Sequence, residues 1–214
     1  MTHIVIAGAS GAIGTALVTK YLDDGHVVTA VVHRSKPAIE HDRFGCVTDF
    51  GSIGKLDSLV TLTGHADNAK LGRVEMRQWE QVIDSTLTSV FKAINETCGR
   101  IKEGGSIVVV GSIVGSLGGY GCANYAAAKA GLVGLVRAAA NELASRKVRV
   151  NLLELGYVNA GMGERLPDEV RAKVVETIPL KRFAEVDEVL HAIEFLRTAT
   201  YATGTVLSYA GGLR

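Results

Sequence analysis

Three residues in the middle of this chain carry side chains that can manage a proton. Tyr125 and Lys129 stand four apart in Tyr-Ala-Ala-Ala-Lys, a spacing that places both on one helix face, one turn apart. An ammonium beside a phenol favours the phenolate and lowers the tyrosine pKa. A tyrosine tuned in this way gives a proton to a carbonyl oxygen, or takes it back, near neutral pH. Upstream, Ser112 ends the apolar run Ile107-Val108-Val109-Val110. At the carboxyl end of a buried strand, where α/β proteins bind their ligands, its hydroxyl can hold the same carbonyl. Each group has a plainer reading: a chance pair of helix residues, or a serine that caps a turn.

A second constellation lies at the start of the chain. Ile4-Val5-Ile6-Ala7 runs into Gly8-Ala9-Ser10-Gly11-Ala12-Ile13-Gly14, a strand, a glycine turn and a helix start. Glycines at 8, 11 and 14 remove side chains where backbone must approach a pyrophosphate, and the helix N-terminus adds free N–H groups and a positive dipole end. The bland alternative is a tight strand–helix turn with no ligand. The next strand ends in Val32-His33-Arg34-Ser35-Lys36, with no carboxylate to hold ribose hydroxyls. Arg34, with Lys36, suits a 2′-phosphate instead, so NADP(H) is favoured over NAD(H). A solvated loop arginine is the competing reading.

The elements that must position these groups follow from apolar patterning. Strands are expected at His3–Ala7, Val27–Val32, Phe44–Thr48, Ser58–Leu62, Ser106–Ser112, Val148–Leu153 and Thr205–Tyr209, and helices at Ala12–Asp24, Glu75–Lys102, Ala123–Arg146 and Asp187–Arg197. Strands apolar on both faces belong in a parallel sheet covered by helices, and alternating strands and helices give a single doubly wound α/β domain. Between Val32 and Leu59 there is room for one short strand and little helix, so the sheet edge there should be poorly covered. Leu166, Val170 and Val174 repeat at helical spacing, as the inner face of a small lid at about 157–180 or as ordinary packing.

Composition excludes other classes. Charged residues make up 21% of the 214 and balance to +1, so no global field recruits nucleic acid or an anionic membrane. Three scattered cysteines read as free thiols in a reducing, cytoplasmic setting. The six histidines show no metal-ligand spacing. The N-terminus lacks the features of a secretion signal, and no apolar run is long enough to span a bilayer.

Taken together, Gly111-Ser112-Ile113-Val114-Gly115 and Ala123-Asn124-Tyr125-Ala-Ala-Ala-Lys129-Ala130-Gly131 resemble the active-site region of the short-chain dehydrogenase/reductase family. The pattern is most like its 3-oxoacyl-acyl-carrier-protein reductase branch. It continues through Val148-Arg149-Val150-Asn151, Ile178-Pro179-Leu180-Lys181-Arg182-Phe183 and Ala210-Gly211-Gly212, nearly the whole chain. The resemblance implies a Rossmann sheet in the order 3-2-1-4-5-6-7. It implies Tyr125 as acid/base, Lys129 on the nicotinamide ribose and the tyrosine, and Ser112 on the substrate carbonyl. It implies cofactor contacts at Gly8, Ser10, Gly11, Ile13, Gly14, His33, Arg34, Thr63, Gly64, Tyr125, Lys129, Gly156 and Val158. Leu117, Tyr120, Tyr157 and Met162, with Ser112, are expected to border the substrate.

The chain departs from the family pattern at several points. Thr61-Leu62-Thr63-Gly64 replaces the usual Asn-Asn-Ala-Gly, Thr86 stands where an asparagine completes a tetrad, and Leu155-Gly156 replaces Pro-Gly. Ala160 takes the place of a threonine, and Ala12 that of the middle glycine. The Thr86 hydroxyl is expected to bond back one turn along its own helix, so that Thr86→Asn would raise turnover. The leading expectation is reduction of a ketone or aldehyde by NADPH. The alternatives are a dinucleotide-binding sensor or partner subunit, and a non-redox acid/base enzyme on the same fold. Self-association as a homodimer or homotetramer is expected through the two long helices, with Ala138, Ala139, Ala140 and Leu143 on their apolar faces.

Overall fold

The computed structural model describes residues 1–32 and 36–214. Strands β1 (His3–Ala7), β2 (Val27–Val31), β3 (Phe44–Val47), β4 (Leu56–Thr61), β5 (Ile101–Val110), β6 (Arg149–Leu155) and β7 (Val206–Tyr209) form one sheet. Its order is β3-β2-β1-β4-β5-β6-β7 and every pair is parallel, the arrangement that the resemblance implied. Strand alternation feeds two cores. Ile4, Ile6, Val108 and Leu153 face α1 (Ala12–Asp23) and α7 (Val186–Thr198), whereas Val5, Ile107, Val109 and Leu152 face α3 (Ser89–Thr97) and α5 (Ala123–Leu143). Each fully buried aliphatic side chain contributes about 1.5–3 kcal/mol, so a one-residue slip of any central strand would exchange the two sets and lose both.

The expected helix Glu75–Lys102 is corrected in two ways. It is α2 (Met76–Ile83), a π-helical turn at Asp84–Thr88, and then α3. The helical segment stops at Thr97, and Lys102 lies in β5. Lys102 and Glu103 pair with Asp57 and Lys147 at the sheet end. Gly104, at φ +78°, lets β5 slip register: Leu56 pairs with Ile101, and Ser58 with Ser106. The short α4 (Val114–Leu117) and α6 (Asp168–Thr177) complete the helices used below.

At the β3 edge the expectation holds. Among the described residues no helix lies between β2 and β4, and β3 is only half-buried. Phe50 and Ile53 fill the second core there, and Arg100 donates to the carbonyls of Phe50, Gly51 and Ile53. One guanidinium thus satisfies loop backbone that a helix would otherwise satisfy internally. Among the described residues no helix is long and apolar enough to cross a membrane.

Candidate active site

The β1–α1 turn is built for close backbone approach. Gly8 sits at φ +83°, and a Cβ there would lie 2.9 Å from the carbonyl carbon of Leu62. A Cβ on Gly14 would stand 2.5 Å from the Gly8 oxygen and 2.7 Å from the Ala9 Cα. Thr15 N–H closes the first turn on Gly11 O at 2.8 Å, so the N–H groups of Ala12, Ile13 and Gly14 precede any intrahelical bond. Ser10, Gly11 and Ala12 are exposed around them. Open N–H groups in a cradle without side chains fit a dinucleotide pyrophosphate. His33 and Arg34, expected at its adenosine end, lie outside the described residues.

The exit of β4 rests on this turn and carries the link to the catalytic candidates. Thr63 Oγ1 pairs with Ser89 Oγ at 2.9 Å. A Cβ on Gly64 would come within 3.3 Å of Lys129 Nζ and 3.5 Å of Thr86 Oγ1. Thr86 is fully buried in the π-helical turn. Its hydroxyl accepts from His65 N–H at 3.2 Å and donates to His65 O at 3.3 Å. This corrects the expected bond along its own helix: the side chain reaches across to the loop after β4 and holds its backbone. Ser85 and Ser89 make the back-bonds instead.

The first turns of α5 place Tyr125 and Lys129 on its buried face. Lys129 Nζ donates to Val110 O at 3.0 Å, at the end of β5, and stands 5.7 Å from the centre of the Tyr125 ring. Burial without an anion drives its pKa down to about 8. Tyr125 moves the other way. Desolvation raises its pKa, the hydrogen bond with Ser112 opposes that rise, and Cys122 adds to it. The lowered phenol expected from the spacing is therefore not found, because burial outweighs the hydrogen bond with Ser112. Ser112 Oγ also accepts from Val114 N–H at 3.3 Å. The structure thus brings Ser112, Tyr125 and Lys129 together where β5 ends.

Asn124 is a positioning group that sequence reasoning passed over. It is fully buried, with Oδ1 accepting from Tyr125 N–H at 2.8 Å and Nδ2 donating to Asp67 O at 2.9 Å. It ties the loop after β4 to the start of α5. A polar amide inside an otherwise small-residue helix start was the available signal.

The expected substrate border divides. Leu117, Tyr120 and Met162 are exposed, and Lys70 Nζ lies 5.6 Å above the Tyr120 ring. Tyr157 instead stacks on Phe183, with ring centres 5.2 Å apart. It lines a separate cavity of about 410 Å³ with Leu180, Arg182 and Tyr209. Gly156 packs on Ala210, where a Cβ would meet its Cα at 2.7 Å, and the buried Val158 pairs with Ala184. Leu155 and Ala160 are buried in the first core. Helix α6 buries no residue, and Val170 is exposed. Arg171 holds the helix down, bonded to Asn159 and 4.3 Å from the centre of the Phe183 ring.

Comparison with known proteins follows the same lines. The sequence model of the family described as enoyl-(acyl carrier protein) reductase matches residues 47–214. A 3-oxoacyl-acyl-carrier-protein reductase of Staphylococcus epidermidis is 37% identical over 171 residues, covering 78% of this chain and 69% of that protein. An acetoacetyl-CoA reductase of Allochromatium vinosum is 33% identical, covering 98% and 97%. The Escherichia coli 3-oxoacyl-acyl-carrier-protein reductase is 34% identical, covering 98% and 96%. In fold, a short chain dehydrogenase family protein from Francisella tularensis superposes with a TM-score of 0.91 at 20% identity, over 99% of this chain and 98% of that one.

Proposed function

This chain belongs to the short-chain dehydrogenase/reductase family and is an NAD(P)-dependent oxidoreductase, and from that premise we propose that it reduces a 3-oxoacyl or similar apolar ketone with NADPH. The observation that supports this most is the convergence of the Tyr125 phenol, the Ser112 hydroxyl and the buried Lys129 amine at the end of β5. The glycine cradle at Gly8 and Gly14 is joined to them through Gly64. The relatives named as 3-oxoacyl and acetoacetyl reductases suggest the substrate class.

Bound nicotinamide supplies the hydride; the protein supplies orientation and the proton. Ser112 O–H donates to the substrate carbonyl oxygen and holds it. Tyr125 gives its phenolic proton to that oxygen as hydride arrives at carbon, leaving an alcohol and a phenolate. Lys129, beneath the ring, steadies the phenolate until solvent returns the proton. The exposed Leu117, Tyr120 and Met162 suit an apolar substituent on the ketone.

The test combines two measurements on the purified protein: consumption of reduced cofactor with a panel of 3-oxoacyl thioesters and simple ketones, and direct cofactor titration. Turnover with NADPH is expected. Tight cofactor binding without turnover on any carbonyl would reject the reductase in favour of a dinucleotide sensor. The NADPH preference rests on Arg34 and Lys36. Arg34→Asp is expected to weaken NADPH and spare NADH, since a charge-assisted contact becomes repulsion. Equal affinity of the parent protein for the two cofactors would overturn that part.

A further inference from the structure

We infer that Glu154 is a positioning residue for Ser112, acting through Ser116 and the short helix α4; this rests on the reductase reading above. Glu154 lies near the end of β6 with only 5% of its surface exposed. No ion pair reaches it among the described residues. It accepts a hydrogen bond from the Ser116 hydroxyl. Burying a carboxyl group costs free energy unless its hydrogen bonds return it, and here one identified bond runs to the turn that follows the catalytic serine.

The backbone places the two on adjacent strands. Gly111 N–H donates to Leu153 O at 2.7 Å and Ile113 N–H to Leu155 O at 2.7 Å. Continuing the register in which Val110 pairs with Leu153, Gly111 stands opposite Glu154 and Ser112 opposite Leu155. The Glu154 backbone is thus one position back from Ser112 on the adjacent strand, and its link to the serine runs through α4. Beyond Ser112 the chain turns into α4, which touches the site three ways. Val114 N–H donates to Ser112 Oγ at 3.3 Å. Gly115 lies so close to α5 that a Cβ would meet the backbone of Lys129 at 2.9 Å. Ser116 reaches back to Glu154. The first contact engages an acceptor site of Ser112 and leaves its own O–H to point at a carbonyl. Its direction depends on where α4 sits, and Glu154 anchors α4 from the β6 side.

The experiment measures kcat, KM and cofactor affinity for Glu154→Ala, Glu154→Gln and Ser116→Ala, each in the parent and in a Ser112→Ala background. Ser116 is exposed, so its truncation leaves the fold intact even if Glu154→Ala does not. Glu154→Ala and Ser116→Ala should each lower kcat about tenfold, the scale of one hydrogen bond to a charged group, with cofactor affinity unchanged. Glu154→Gln, which keeps an acceptor for Ser116, should restore most of the rate. Once Ser112 is alanine, none of these changes should lower kcat further. An equal loss in the Ser112→Ala background, or a parallel loss of cofactor affinity, would overturn the positioning role. If Tyr125→Phe kept full activity, the reductase reading itself would fail, a result distinguishable from normal kcat in Ser116→Ala and Glu154→Ala.

Discussion

The chemistry assigned to single residues is exposed to two direct measurements. In the proposed mechanism Tyr125 supplies the proton, whereas Ser112 supplies one hydrogen bond. Tyr125→Phe should lower turnover by at least about a hundredfold, the lower range for general acid catalysis, while cofactor titration stays near that of the parent. Retained activity in that variant would remove the mechanism. Lys129 gives a pH signature. Burial lowers its pKa from 10.5 to about 8, so its charge beside the phenol fades above that pH while Tyr125, pushed upward, keeps its proton. In the reduction direction kcat/KM should hold below about pH 8 and fall above it; a flat profile through the alkaline range would contradict this. The same shift has a stability sign. Between about 8 and 10.5 the unfolded chain binds the Lys129 proton more than the folded one, so unfolding free energy rises with pH across that window. Lys129→Met should lack this rise relative to the parent in denaturant titrations.

Among the elements, the break in the α2–α3 helix carries the most information. The π-helical turn at Asp84–Thr88 turns Thr86 toward His65, and the hydroxyl serves both backbone groups of that residue. The gain once expected from asparagine at this position does not follow, because the hydroxyl is already engaged in a fully buried site. Thr86→Val keeps the shape and removes both bonds. It should destabilise the protein by about 1–3 kcal/mol, the cost of orphaned buried polar groups, and weaken cofactor binding by loosening Thr63 and Gly64. Calorimetry with cofactor titration reads both; unchanged affinity would uncouple Thr86 from the cradle. Legibility from sequence varied in the same way across elements. Helix α5 was readable nearly residue for residue because its pattern is long. The end of α3 was not, since Lys102 and Glu103 satisfy helical and sheet-edge readings equally until Asp57 and Lys147 are placed opposite them.

For the molecule as a whole, the packing revises how copies should associate. Ala139 and Ala140, expected on a free helix face, are buried in the second core. The outward face of α5 carries Ala127, Ala130, Gly134 and Ala138, all exposed, and α3 adds the exposed Phe91. Small residues at this spacing let a second helix approach closely. We expect a homodimer or homotetramer through the α3–α5 face. Gly134→Glu should shift sedimentation toward the monomer and leave circular dichroism unchanged; a parent protein that sediments as a clean monomer at micromolar concentration would reject the interface.

The sequence by itself determined where most strands lie and which residues stand as candidates, the glycine turn and Ser112, Tyr125 and Lys129, because these depend on apolar runs and local spacing. The strand order, which the sheet has, came from the family resemblance that those motifs carry. Tertiary structure alone decided the rest. The titration directions of Tyr125 and Lys129 follow from desolvation, which depends on everything packed around them. Asn124 and Thr86 acquire their roles from partners on the loop after β4, distant in sequence. The pairing of Ser116 with Glu154 exists only because β5 and β6 lie side by side.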